Sequence, residues 1–240
     1  MNTEKLIRVI HAIVEKIEAE KDYLTGLDNV IGDGDHGINM SRGFQEVEKT
    51  LNAYADKEPG DILKAVGMAL VSKVGGSSGP LYGTAFLKMG MALKGKTDIS
   101  IEDFLKALQV AIDAVMLRGK AVRGEKTMLD AMIPAREAME SAYQEMVGTT
   151  FHAEKDSVVG TDSTKEKDSA VGTTFHKEAA LAAKVILAAG VKAAWEGVEY
   201  TKTIAATKGR ASYLGERSIG HQDPGATSFT MMLEALEGAL

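Results

Sequence analysis

Three aspartates in one short, glycine-rich stretch indicate a site for a hard metal cation. Asp28, Asp33 and Asp35 fall within eight residues and alternate with three glycines. Ionised carboxylates this close repel one another unless a cation neutralises them. On one helix, Asp28 and Asp33 would point about 140° apart, so a shared ligand requires a loop. The stretch therefore predicts an all-oxygen site for Mg²⁺, Ca²⁺ or Mn²⁺, together with a phosphate held by that cation.

Two other interpretations of these aspartates were considered. An EF-hand loop needs a glutamate eleven residues after its first aspartate. That position is Phe44 counted from Asp33 and Asn39 counted from Asp28, so both registers exclude an EF-hand. Simple capping of the next helix needs only one aspartate. It stays open as the structural alternative.

A second stretch, Gly75-Gly76-Ser77-Ser78-Gly79, precedes a predicted helix that has Pro80 in its first turn. Free backbone N–H groups at a helix start suit a phosphate. The stretch lacks the GxxxxGK[ST] pattern of a P-loop. It therefore predicts an anion cradle, with a purely structural glycine-serine turn as the alternative.

The segment 208–228 carries Arg210 and Arg217, the only arginines in the last hundred residues. A guanidinium in a loop suits bidentate phosphate contact or stabilisation of transition-state charge. Surface salt bridges with Glu216 or Asp223 are the alternative. His221 is not assigned a catalytic role, since a single loop histidine more often serves packing or hydrogen bonding.

The composition favours tightly packed helices. Of 240 residues, 45% are hydrophobic but only 5% are aromatic, which argues against a β-sandwich. A net charge of −6 disfavours nucleic acid and anionic membranes as partners. No cysteine is available for disulfides or thiolate metal sites, and the apolar runs are too short to span a membrane. These features predict a cytoplasmic protein.

Helical spacing recurs along the chain without sustained period-two alternation, so the prediction is an all-α fold of about eight helices. Asp61 and the capping box Ser100–Asp103 are the predicted N-caps. The helical ranges are about 4–20, 38–55, 61–74, 80–93, 100–115, 128–145, 178–207 and 229–240.

Residues 146–181 align with themselves as three twelve-residue units, beginning at Met146, Val158 and Ala170. Twelve residues advance a helix by about 120°, so the units cannot keep one apolar face along a continuous helix. They predict a polar, mobile extension of a helix–helix connection; a role as an interaction surface is left open.

Four stretches, in this order, resemble the dihydroxyacetone kinase L subunit (the DhaL, or nucleotide-binding, family). They are Asp28-x4-Asp33-Gly-Asp35-His36-Gly37, Gly75–Gly83, Gly124-Glu-Lys-Thr-Met128 and Gly209–Gly225. The resemblance spans nearly the whole chain and fails only at the repeats, where the family's helix connection is usually shorter. Residues 1–240 are thus expected to form a single domain with a repeat-containing insertion at about 146–181.

The resemblance implies a barrel of eight antiparallel amphipathic helices with a nucleotide in the loops at one end. It implies that Asp28, Asp33 and Asp35 hold two Mg²⁺ ions that bridge the phosphates of ADP or ATP, and that Arg210 is catalytic. The residues that match the family's nucleotide contacts are His36, Gly37, Ile38, Asn39, Ser77, Ser78, Gly119, Met128, Arg210, Asp223, Pro224 and Gly225.

The resemblance also implies a function. The phosphoryl group would pass from a phosphohistidine on an M subunit, through the bound nucleotide, to dihydroxyacetone on a K subunit. Two alternatives stay open: an ATP-dependent kinase subunit whose nucleotide exchanges freely, and a regulatory nucleotide-binding module acting on a transcription factor. A homodimer is also left open.

Overall fold

The computed structural model describes residues 1–54, 56–156 and 168–240 and confirms the all-α prediction. Within that part of the chain there are nine α-helices and two 3-10 helices, Asn52–Tyr54 and Arg210–Ser218, and extended pairing is limited to one isolated bridge between Asn2 and Asp98. The α-helices are α1 Thr3–Ala19, α2 Lys21–Ile31, α3 His36–Leu51, α4 Pro59–Lys73, α5 Ser78–Ala92, α6 Ile101–Gly119, α7 Leu129–Asp156, α8 Asp168–Thr201 and α9 Pro224–Ala239.

The helices pack as a closed circuit of neighbours. Each helix from α3 to α8 packs on its successor, while α3 and α9 both pack on α1. The short helix α2 lies against α3 and α9. The antiparallel order that the resemblance implies stays a prediction.

The core is built from one apolar face per helix. Helix α1 buries Leu6, Val9, Ile10, Ile13 and Ile17, which recur at the three- and four-residue spacing of a single helical face. Complete burial of an aliphatic side chain contributes about 1.5–3 kcal/mol relative to exposure. In the described residues, no helix combines the length and the apolar character that crossing a membrane would require.

Glycines bring α4 and α5 into close contact. A Cβ on Gly83 would lie 2.3 Å from Val71, and one on Gly90 would lie 2.4 Å from the carbonyl oxygen of Gly60. Both approaches are closer than any larger residue permits. The first holds the end of α4 against the first half of α5, beside the short connection through Gly75 and Gly76, and the second holds the start of α4 against the end of α5.

Two helix boundaries differ from the sequence-based expectation, and a third is as predicted. Residues 21–31 form α2, so Asp28 lies on a helix and only Asp33 and Asp35 follow it in the loop. Helix α4 begins at Pro59 after Glu58, so Asp61 lies in its first turn and is not the N-cap. Proline suits this position because the first helical N–H has no partner. The capping box Ser100–Asp103 is confirmed by both reciprocal hydrogen bonds.

The repeats are more helical than expected. Helix α7 runs to Asp156 and α8 starts at Asp168, so the outer parts of the repeat region continue these two helices. The two helices pack on each other, and tertiary packing sustains a helix beyond what its own sequence favours. Residues 157–167, the middle of the predicted extension, lie outside the described residues.

Candidate functional site

The predicted loops meet at one cavity of about 490 Å³. It is lined by the aspartate stretch, the glycine-serine turn, the end of α6, the turn before α7, residues 208–211 and the start of α9. Six segments that are far apart in sequence therefore supply one site.

The three aspartates form a candidate metal site. Each offers a carboxylate oxygen, and the three atoms lie within 4.8 Å of one another. Asp28 projects from the last turn of α2, which ends at Ile31, so a shared site does not require that all three lie in the loop. A Cβ on residue 32 would lie 2.0 Å from Asp28 Oδ1, which explains why glycine fits there. An oxygen-only, anionic donor set fits Mg²⁺.

One oxygen of Asp28 also has a structural role. Its Oδ2 accepts hydrogen bonds from the backbone N–H groups of Asp35, at 2.9 Å, and His36, at 3.1 Å. These donors belong to the start of α3, whose first N–H groups have no partner within the helix. The capping alternative is thus correct for this one atom. Capping does not explain the carboxylates of Asp33 and Asp35.

The glycine-serine turn faces the aspartates. Gly76 has a φ of 63°, and a Cβ there would lie 4.0 Å from Asp35 Oδ1. Ser77 follows as the N-cap residue of α5, and its side chain makes no capping hydrogen bond. The start of α5 therefore presents backbone donors and a hydroxyl group beside the carboxylates. A phosphate bridged by a cation fits between these two elements.

A buried histidine connects three helices beneath the site. His36 Nδ1 lies 3.0 Å from Ser78 Oγ, and its Nε2 lies 2.9 Å from Ser228 Oγ. Tyr82 Oη continues the chain, 2.7 Å from Ser228 Oγ and donating to the Gly225 carbonyl at 3.0 Å. Burial lowers the pKa of His36 to about 4, against the opposing effect of Asp28 and Asp35. His36 is therefore neutral and structural, since both of its ring nitrogens are occupied.

Arg210 closes the site from the opposite side. Its Nε lies 2.6 Å from Asp33 Oδ2, and the two side chains are 67% and 36% exposed. The partner is thus neither Glu216 nor Asp223, the two carboxylates that the sequence offered. The pair is too exposed to contribute much to stability. The ion pair matters because it places a guanidinium group beside the aspartate cluster.

The start of α9 forms the floor of the cavity. Asp223 is the N-cap residue and accepts a hydrogen bond from the Ala226 backbone N–H at 2.7 Å. Burial, assisted by the charge of Asp130, raises the pKa of Asp223 to about 7. A Cβ on Gly225 would lie 3.0 Å from Asp223 Oδ2, so glycine keeps this turn compact.

The structure brings together most of the predicted nucleotide contacts. Those that line the cavity are His36, Ser77, Ser78, Gly119, Met128, Arg210, Asp223, Pro224 and Gly225. Three others lie outside its lining. Gly37 packs on α2, where a Cβ would lie 2.0 Å from the Lys21 carbonyl oxygen, Ile38 is exposed, and buried Asn39 accepts a hydrogen bond from Arg42.

Sequence reasoning missed several residues of the site. Ser228 is hydrogen-bonded to His36 and Tyr82 to Ser228, while Arg118 and Lys126 line the cavity. Lys126 stands inside the Gly124–Met128 motif and Tyr82 inside the Gly75–Gly83 motif, which were the available signals. The others lie on apolar helix faces or at a helix end, where their residue types are ordinary.

Comparisons with known proteins relate nearly the whole chain to one family. The DAK2 domain family matches residues 30–179 and 169–238; these two ranges overlap inside the third repeat. The ADP-binding subunit DhaL of the PEP-dependent dihydroxyacetone kinase of Escherichia coli K12 is 41% identical over 217 residues, covering 90% of this chain and 87% of that protein. The ADP-binding subunit DhaL of the PTS-dependent kinase of Lactococcus lactis is 40% identical over 222 residues, covering 92% and 90%.

A solved structure shows the same fold. The crystal structure of the dihydroxyacetone kinase from C. freundii in complex with AMP-PNP and Mg²⁺ has a TM-score of 0.65 and 20% sequence identity. The match covers 98% of this chain and 34% of that one. The chain thus spans about a third of the length of that kinase.

Proposed function

Since the chain belongs to the DAK2 domain family of dihydroxyacetone kinase subunits, we propose that it is the ADP-binding subunit of a phosphoenolpyruvate-dependent dihydroxyacetone kinase. In this role it holds the nucleotide through which a phosphoryl group passes from a phosphohistidine M subunit to dihydroxyacetone on a K subunit. The observation that carries the proposal is the convergence of Asp28, Asp33, Asp35, the glycine-serine turn and Arg210 on one cavity.

The aspartates are proposed to hold two Mg²⁺ ions. When bound, Mg²⁺ supplies charge stabilisation at phosphoryl oxygens. Asp28 is held at one oxygen by two backbone N–H groups, which restrains its carboxylate. Asp33 and Asp35 complete the donor set.

The nucleotide is proposed to lie with its phosphates at this acidic end. Backbone N–H groups at the start of α5 and the Ser77 hydroxyl face the phosphates. The apolar part of the lining, which includes Leu81, Val115 and Met128, offers a surface for the base. Gly119, Asp223, Pro224 and Gly225 border the same cavity and are proposed nucleotide contacts.

Arg210 is the proposed catalytic residue. Its guanidinium is already beside Asp33, it is largely exposed, and no other ion pair of its side chain is seen in the described residues. Phosphoryl transfer needs positioning and neutralisation of spread negative charge more than covalent chemistry. A guanidinium that can exchange a carboxylate for phosphoryl oxygens meets that need.

The partners and location follow from the same proposal. Because the relatives are named as ADP-binding subunits of dihydroxyacetone kinases, the acceptor is proposed to arrive on the K subunit and the donor on the M subunit. A homodimer is left as a further possibility for measurement. We propose a cytoplasmic location, where such subunits would meet.

Mass spectrometry of the ligand released from the purified, dialysed protein tests this function. Stoichiometric ADP is the expected result, followed by phosphoryl transfer only when K and M subunits are both added. An empty site that turns over free ATP with the K subunit alone would favour an ATP-dependent kinase subunit. Nucleotide binding without transfer in any combination would favour a regulatory module.

A further inference from the structure

The turn between α6 and α7 buries a lysine that the proposed function does not use. Lys126 is 1% exposed, although a lysine is almost never fully buried without partners. Its φ of 61° lies in the left-handed region, which side chains other than glycine rarely occupy. A buried cation on a strained backbone requires an explanation from its surroundings.

The ammonium group of Lys126 joins two separated parts of the chain. Its Nζ donates to the carbonyl oxygens of Thr201, at 2.5 Å, Ile204, at 3.4 Å, and His221. Thr201 is the last residue of α8, where carbonyl groups lack helical partners and carry partial negative charge. His221 lies two residues before the N-cap of α9. The three acceptors therefore stand at the two ends of residues 202–222, here named the arginine loop.

Backbone contacts close the arginine loop at the same place. Gly220 donates to the Lys202 carbonyl at 2.7 Å, and the Asp223 N–H donates to Thr201 Oγ1 at 2.9 Å. Beyond this neck the loop carries Arg210 on its 3-10 helix. Arg210 thus reaches Asp33 from a segment whose ends are fixed at Lys126.

Acidic groups hold Lys126 in position. Asp130 is fully buried and accepts hydrogen bonds from the backbone N–H groups of Gly124, at 2.5 Å, and Thr127, at 2.8 Å. Burial lowers the pKa of Lys126, whereas Asp223 and Asp130 favour its charged form. The turn is thus shaped by Asp130 so that the ammonium group points to the neck of the arginine loop.

We propose that Lys126 is a positioning residue that fixes the arginine loop against the start of α9 and so keeps Arg210 over the aspartates. The anchoring of the loop by Lys126 does not depend on which reaction the protein takes part in. The expected effect on phosphoryl transfer rests on the proposed function.

Limited trypsin digestion of the full-length protein tests the anchor. Lys126→Met keeps the apolar stem but removes the donors to three carbonyl groups. Because cleavage follows the population of the open loop, we expect cleavage after Arg210 and Arg217 to be about tenfold faster than in the wild type. Lys120→Met, a change at an exposed lysine on the same connection, is the matched control and should cleave at the wild-type rate.

Kinetics with K and M subunits test the positioning role. We expect Lys126→Met to lower kcat about tenfold while KM for the loaded K subunit changes less than about threefold, because a transition-state contact is lost and the docking surface is kept. If Lys126 only stabilised the fold, Lys126→Met would lower the melting temperature. At temperatures where the variant is folded, its kcat and KM would then both stay near the wild-type values. Circular dichroism establishes that condition.

The remaining outcomes are also decisive. Unchanged cleavage in Lys126→Met would overturn the anchor, and faster cleavage with wild-type kcat would overturn the positioning role. If Lys126→Met does not fold, Asp130→Asn weakens the same turn and should give a smaller acceleration of cleavage; no acceleration would overturn the proposal. If the wild type transfers no phosphoryl group, the proposed function fails and the trypsin comparison alone decides the anchor.

Discussion

The two sides of the cavity are built in opposite ways. On one side, residues 28–36 connect two helices, and backbone N–H groups hold Asp28 while the buried ring of His36 is hydrogen-bonded at both nitrogens. On the other side, the arginine loop is largely exposed and turns through Gly209, Gly215 and Gly220, all with positive φ. The acidic side is held by backbone and buried side-chain hydrogen bonds. Beyond its neck, the arginine loop is held by the Thr207 N–H, which donates to the Glu125 carbonyl oxygen, and by the exposed ion pair of Arg210 with Asp33.

Under the proposed function, this difference separates nucleotide binding from phosphoryl transfer. Metal ligands must stand at set distances before the ion arrives, since rearranging three like charges costs free energy. A guanidinium that follows charge from donor to acceptor needs freedom to move. The contact between Arg210 and Asp33 is the point where the two sides meet.

The largest effect is expected from Asp35→Asn. It removes one carboxylate of the cluster without disturbing the cap of α3, which uses Asp28. Because metal contacts contribute several kcal/mol, transfer should fall by about 10²- to 10³-fold, with loss of Mg²⁺-dependent nucleotide binding. Isothermal titration and circular dichroism measure binding and fold. Full activity of this variant would refute the metal site.

A second substitution sharpens the comparison, because Asp33 belongs to both sides. Asp33→Asn should lose transfer like Asp35→Asn and should also accelerate trypsin cleavage after Arg210, since the arginine loses its carboxylate. Equal cleavage rates in the two variants would show that the ion pair does not restrain the loop.

Arg210→Ala should act on transfer more than on binding. Removing one donor to transition-state charge costs about 10²-fold in kcat. Nucleotide retention should change little, because the acidic side is intact. Arg217→Ala, at an exposed arginine of the same loop outside the cavity lining, is the control and should keep wild-type kcat. If Arg210→Ala transferred phosphoryl groups at the wild-type rate, Arg210 would have no catalytic role, and its ion pair with Asp33 would be its only function.

The two sides of the cavity also differ in how much of their structure can be predicted from the sequence. The aspartate cluster is local, so eight residues of sequence were enough to predict that its carboxylates lie together. The helices followed from apolar periodicity, yet α2 was missed because its polar residues Lys21, Asp22 and Asp28 obscure a short apolar face. Local pattern thus predicts that the aspartates lie together, as the structure shows, better than it predicts helix ends.

The arginine side depends on contacts that no local pattern contains. The hydrogen bonds of Lys126 reach 75 and 95 residues along the chain, and the bond between His36 and Ser228 spans 192. Such partners are determined by the packing of α3, α5, α8 and α9. The residue type favoured Arg210 and Arg217 alike as phosphate ligands, and the resemblance singled out Arg210. Its partner Asp33 could be identified only in the folded chain.

A smaller effect concerns the pH dependence of stability. The pKa of Asp223 is raised by burial to about 7, so between pH 4 and 7 the folded state binds more protons than the unfolded state. Stability contributed by this group is therefore present at low pH and is lost as pH rises through 7. Asp223→Asn keeps a side chain that can cap the helix. Its melting temperature should exceed that of the wild type by a margin that grows as pH rises from 5.5 to 8.

The exposed substitution Asp113→Asn on α6 is the control for this measurement. It should leave the difference in melting temperature constant across the same pH range. A constant difference for Asp223→Asn as well would contradict the raised pKa.

The smallest effect is expected from deleting residues 158–169, one whole repeat unit. The deletion joins the first unit directly to the third, whose sequence starts again with the Val-Gly-Thr that the first unit contains. No residue of the repeats lines the cavity as the structure describes it, so neither the acidic side nor the arginine loop loses a contact. Transfer with K and M subunits should stay within about twofold of wild type, a difference below 0.5 kcal/mol. A large loss would show that the repeats contact a partner subunit, and that a third region of the chain belongs to the functional surface.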